Sequence, residues 1–224
     1  MELLDGKITD ISPEGLTIFV PYHNIERFMK REYRDVVIGL EDGRRIRPDQ
    51  RRKAYALMGE ISEWAGVELE DAKLVAKHRF VADHLEGLTK EIFSLSDCDV
   101  TTAKEFITYL IDFIIQFEIP TKIPLVEYCD DLPRYMRACL EHKQCAVCGQ
   151  RADLHHVDRV GMGNNRTRIN HLGLRCLPLC REHHNEAHQH GDEALLAKYH
   201  LETVVIDEKI AKIYKLNTKG TGKS

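Results

Sequence analysis

The chain has 224 residues, 43% of them hydrophobic and 30% charged, with a formal net charge of −4 and a pI near 6.3. That length and apolar content can bury one large core or two small ones, and two units are expected. The mild acidity excludes a globally basic coat, so a polyanionic partner has to be met by a local basic patch.

Met1-Glu2-Leu3-Leu4-Asp5 lacks the pattern of a secretion signal, and a cytoplasmic location is expected. Lys7-Ile8-Thr9-Asp10-Ile11 alternates, Pro13-Glu14-Gly15 turns, and Leu16-Thr17-Ile18-Phe19-Val20 alternates again, which predicts a β-hairpin. Residues 36–40 read as a third strand closed by the turn signal Glu41-Asp42-Gly43. From Arg27 to Lys53 ten Lys or Arg face five Asp or Glu, densest at Arg44, Arg45, Arg47, Arg51, Arg52 and Lys53. With Phe28, Tyr33 and Tyr55 nearby, this patch pairs charge with rings as single-strand binders do.

After Pro48 the period becomes helical, with a start at Asp49 and Ala54, Leu57, Met58, Ile61 and Trp64 along one face. A second helix is expected over 70–84. Thr102 with Glu105 forms a capping-box signature ahead of Phe106, Leu110, Phe113, Ile114 and Phe117, and Pro120 is expected to stop that helix. Those aromatics read as core. Residues 106–119 are the most apolar stretch, but Thr108, Asp112, Gln116 and Glu118 interrupt it and it is too short to span a bilayer. Asp131-Leu132-Pro133 starts a helix running to about His142, and a domain boundary is expected there.

Seven cysteines, an odd number with a Cys-x2-Cys pair among histidines, read as reduced thiols and metal ligands. Cys145-Ala-Val-Cys148-Gly149 has the form of a knuckle whose glycine permits the backbone reversal. Cys180 and His183 stand at the start of a helix, where one turn brings both to one side and completes a Cys3His set; Cys176 competes with Cys180 for that role. His184 and His188, four apart, share a face of the same helix. Glu186 falls about 200° from His184, so the stretch is no zincin motif. His155 and His156 end a strand and therefore leave on opposite faces. One can join His184 and His188 on a metal while the other acts as a base. The loop beyond carries Arg159, Arg166 and Arg168 with Gly161 and Gly163, which suits phosphate contacts.

This order of residues, over about Gln144 to Tyr199, resembles the HNH, or ββα-metal, nuclease family. The resemblance implies an α+β fold whose C-terminal module, 141–205, is a zinc-stabilised treble clef. It also implies a structural Zn²⁺ on Cys145, Cys148, Cys180 and His183, and Mg²⁺, Mn²⁺ or Zn²⁺ on His155, His184 and His188. His156 would be the base that activates water against a phosphodiester. The family more often has cysteine where His183 stands. Asn170 is the choice for the middle asparagine, with Asn164 and Asn165 as competitors.

The stretch from Arg47 to Ile61 resembles the central helix of the phage Orf, or NinB, family of recombination mediators. That resemblance implies a hairpin-and-helix domain over 1–140 that binds single-stranded DNA and the host single-strand-binding protein as a homodimer. It also implies a phage or prophage origin in a bacterial cytoplasm. Residues 206–224 are left as a strand-and-helix extension with a frayed tail. Three functions follow: a DNA endonuclease joined to a recombination domain, a non-catalytic mediator whose zinc module only binds, or a regulator that uses the treble-clef unit for protein contacts.

Overall fold

A computed structural model describes residues 6–22, 26, 29–30, 43–84, 92–158 and 169–219. The expected strand at 36–40, Phe28, Tyr33, Arg159, Gly161, Gly163, Asn164, Asn165, Arg166, Arg168 and the last five residues lie outside this set. The fold is mixed, with helices around two small antiparallel sheets, one of two strands and one of three. The expected hairpin is present as β1 (Lys7–Ser12) and β2 (Gly15–Phe19), paired from Lys7↔Phe19 to Ser12↔Gly15.

Helix α1 (Pro48–Ala65) starts on a proline in its first turn and ends at Gly66, whose φ of 65° supplies the left-handed cap. Its stripe Ala54, Leu57, Met58 and Ile61 is buried as the 3.6-residue period requires. Trp64, expected on the same stripe, is instead 49% exposed. Its ring neighbours the rim residue Phe117, at 6.4 Å between centroids, where the chain has already left its helix. Helix α2 (Leu69–His84) follows, and Phe80 from it enters the core.

Helix α3 (Val100–Gln116) corrects two expectations. Its N-cap is Asp99, whose carboxylate accepts from the Thr102 N–H at 2.8 Å and from its hydroxyl at 2.5 Å. The helix thus begins three residues before the expected Thr102 cap, because aspartate caps at least as well as threonine. Glu105 is free of capping and meets Arg134 at 3.0 Å. At the other end the helix stops before Pro120 is reached. Glu118 turns left-handed with φ 50°, and the N–H groups of Glu118 and Ile119 close onto Ile115 and Ile114 at 3.3 and 3.0 Å. Phe106 is fully buried, while Phe117, expected in the core, is 45% exposed beyond this reversal.

A short 3-10 turn (Leu125–Tyr128) leads to α4 (Leu132–His142), capped by Asp131. The chain then locks onto the helices: the Tyr135 hydroxyl donates to the Ala146 carbonyl at 2.7 Å, and Gln144 Nε2 donates to the Ile115 carbonyl at 2.8 Å. One hydrophobic cluster runs from Ala54 of α1 through Ile111 of α3 to Cys145, Leu177 and Leu195.

The second sheet has the order β3 (Asp153–His156), β4 (Arg175–Leu179), β5 (Val204–Val205). Strand β4 runs through Cys180 directly into α5 (Arg181–His190), followed by α6 (Asp192–Tyr199) and α7 (Glu208–Ile213). Cys176 is buried beside Leu140, Ile206 and Ile210 in a separate small cluster, which leaves Cys180 for the ligand role. Among the described residues no helix is long and apolar enough to cross a membrane.

Candidate metal and active site

Cys145, Cys148, Cys180 and His183 converge, with donor atoms all within 4.8 Å of one another. The reversal at Gly149, φ 71°, aims both knuckle sulfurs at α5. The Cys148 and Cys180 sulfurs are 3.7 Å apart, and His183 Nδ1 lies 3.5, 3.7 and 3.1 Å from Cys145, Cys148 and Cys180. A tetrahedral ion about 2.3 Å from sulfur and about 2.0–2.1 Å from nitrogen requires separations of about 3.8 Å and about 3.6 Å. Most of these separations approach a closed N/S site, and the Cys180 to His183 pair, at 3.1 Å, would open by about 0.5 Å to admit the ion. Burial raises the Cys145 thiol above its ordinary value. A bound cation opposes that burial by favouring the thiolates.

One residue further round α5 a second group forms. His155, His184 and His188 also bring their donors within 4.8 Å. The His155 ring stands edge-on to His184 and His188 at 4.4 and 5.1 Å between centroids. Strand alternation sends His155 inward, where it is 2% exposed. Its Nε2 lies 2.7 Å from Asp192 Oδ1, while its Nδ1 is buried with no hydrogen-bond partner among the described residues. An orphaned imidazole nitrogen beside two further imidazoles is what a divalent ion would satisfy. Burial, then the neighbouring His155 and His188, lower the His184 pKa below its ordinary value.

His156 leaves β3 on the other side, and its Nε2 sits 2.9 Å from Nδ1 of the buried His171. Both histidines and the trio nevertheless line one cavity of about 460 Å³, together with Asp158 and Asp192. Asp158 accepts from two of the three Arg175 guanidinium nitrogens, Nε at 2.9 Å and Nη2 at 2.7 Å.

Residues 25–217 match the model of the family described as "Putative HNHc nuclease". The chain belongs to that family. No match was found among curated proteins or among solved structures. The family match extends upstream of the metal ligands and takes in α1 to α4 as well, so the helical half belongs to the HNH chain rather than standing apart from the comparison.

In this HNH chain Asn170 spends its side chain locally, its Oδ1 accepting the Leu172 N–H at 2.9 Å in a turn that presents His171. His171 and Asp192 are site residues that the sequence reading missed. The signals were slight: a histidine next to the chosen asparagine, and an aspartate directly after the Gly191 that ends the histidine helix. Glu186, already set aside as a base, accepts from Lys198 at 2.6 Å and the Tyr199 hydroxyl at 3.0 Å.

The basic patch divides. Arg45 donates to the Asp97 carbonyl at 2.6 Å, Arg47 meets Asp49 at 3.3 Å, and Lys53 meets Asp130 at 2.6 Å. Arg44 has partners too. Arg51 and Arg52 line an open cleft of about 560 Å³ with Tyr55 and Ser96, and Arg47 borders the same cleft.

Proposed function

We propose that the protein is a metal-dependent DNA endonuclease that hydrolyses phosphodiester bonds, with His156 as the base taking the proton of the attacking water. The observation that carries the reading is that His156 and the His155, His184 and His188 trio line one cavity. Hydrolysis of a phosphodiester needs a cation and a base on the same phosphate. Mg²⁺, Mn²⁺ or Zn²⁺ on the trio would stabilise charge on the phosphate and the leaving oxygen. His171 holds the His156 ring, and Asn170 fixes the turn that carries His171. Arg159, Arg166 and Arg168 would contact the flanking phosphates.

In this reading Zn²⁺ on Cys145, Cys148, Cys180 and His183 is structural, and the surrounding β3, β4 and α5 form the treble-clef ββα-metal unit. The upstream residues would bind single-stranded DNA in recombination, and the Arg51 and Arg52 cleft with Tyr55 supports that part. Arg44, Arg45, Arg47 and Lys53 would shape the rim. The phage origin, the homodimer and the host single-strand-binding partner rest on the likeness of residues 47–61 to Orf proteins.

The test is cleavage of plasmid, forked and single-stranded DNA with each divalent ion. His156→Ala should lower the rate by roughly 10²- to 10⁴-fold while zinc content, folding and DNA affinity stay unchanged. No cleavage by the unmutated protein on any substrate with any ion would turn the assignment to a non-catalytic mediator.

A further inference from the structure

We infer that Asp192 is a positioning residue for the histidine trio, holding His155 as the Nε2-protonated tautomer so that Nδ1 is the nitrogen offered to the divalent ion. This rests on the reading of the trio as a metal site.

The geometry leaves little choice of tautomer. Asp192 Oδ1 lies 2.7 Å from His155 Nε2, and a carboxylate only accepts, so the shared proton sits on the imidazole. The alternative neutral tautomer would set a nitrogen lone pair against an oxygen lone pair at that separation. With Nε2 protonated, the free lone pair of the neutral ring is on Nδ1, and this is the atom that is buried with no partner among the described residues.

Asp192 is a support rather than a fourth ligand. Among the described residues, the donors that converge within 4.8 Å are those of His155, His184 and His188, and the Asp192 carboxylate is not with them. The backbone explains how it arrives. Gly191 ends α5 with φ 89°, a conformation that side-chain-bearing residues rarely adopt, and the chain reverses so that the first residue of α6 faces back over β3. The spacing His188-x2-Gly191-Asp192 thus brings a carboxylate to a ring 37 residues upstream. A carboxylate on the remote nitrogen fixes ring orientation and raises the basicity of the ligating one.

The test titrates Co²⁺ into protein whose thiolate site already holds zinc, by calorimetry and by the cobalt absorption bands. Asp192→Ala should bind the second ion roughly 10- to 100-fold more weakly, with the fold and the thiolate-bound zinc retained. Asp192→Asn, which keeps an acceptor oxygen but not the charge, should fall between. With Zn²⁺ as a diamagnetic probe, nitrogen chemical shifts should show His155 Nδ1 metallated and Nε2 carrying its proton. A second ion held equally tightly by both variants, or metal on Nε2, overturns this inference alone. An unmutated protein that takes up no second ion overturns the metal reading of the trio, and this inference with it.

Discussion

Replacing Cys148 with serine isolates the contribution of the thiolate-bound ion, because Cys148 is exposed whereas Cys145 and Cys180 are buried. Loss of its sulfur opens no core cavity, so the packing cost stays within about 0.5 kcal/mol. What disappears is one of the four donors that converge around His183. Structural zinc binds with about 10–16 kcal/mol, which divided among four ligands is about 3 kcal/mol each. That corresponds to roughly a hundredfold weaker zinc affinity. With zinc in excess the same quantity is lost from stability by linkage. At about 2–4 °C per kcal/mol for a chain of this size, the melting temperature should fall by about 6–12 °C. A strong chelator removes the whole binding free energy, comparable with the about 5–15 kcal/mol that holds a typical domain together. The ligand-bearing half should then unfold. Circular dichroism melts and competition with a chelating dye measure both quantities. A serine variant that melts and binds zinc like the unmutated protein would refute the four-ligand assignment.

Phe80→Ala should cost about 3–5 kcal/mol, read from urea midpoints. Its fully buried ring is enclosed by Phe93, Phe106 and Tyr109 at 5.6, 5.3 and 5.6 Å. Arg51→Glu combined with Arg52→Glu should weaken single-strand binding and reduce the slope of log affinity against log salt by about one to two; unchanged affinity would remove the cleft from the DNA path. Lys104, by its hydrogen bond, and then the Arg134 N–H hold the Asp131 carboxyl below its ordinary value of 3.8. The stability it contributes is therefore fully present above that value and is lost as pH falls through the lower folded one. Asp131→Asn should flatten the decline in urea midpoint between about pH 5 and about pH 2, and an equally steep decline would count against this pairing.

Legibility in the sequence followed the range of the interaction. The buried stripe Ala54, Leu57, Met58 and Ile61 was readable because helical period and burial coincide, whereas Trp64 continues the period at a position that stays half-exposed among the described residues. The Thr102 cap misled because a local signature competed with a stronger capping residue three positions earlier, Asp99. The two ligand groups were visible in spacing, since i to i+3 and i to i+4 on one helix place neighbouring residues on adjacent faces. The opposite departures of His155 and His156 followed from strand alternation alone. His171 and Asp192 were invisible to such rules. Their contacts close over 15 and 37 residues and depend on how a loop and a helix return to β3. The division of the basic patch was equally hidden, because the carboxylate that engages Lys53 comes from Asp130, 77 residues away.

The central claim is that α5 offers Cys180 and His183 to one ion and His184 and His188 to another, which His155 completes from β3. Anomalous diffraction from crystals grown with zinc and saturating manganese, recorded at each metal's absorption edge, tests it directly. The account predicts two separate peaks, zinc among the three sulfurs and His183, and a second ion among His155, His184 and His188. A single peak at the sulfurs, with His155 turned away from α5, would contradict it.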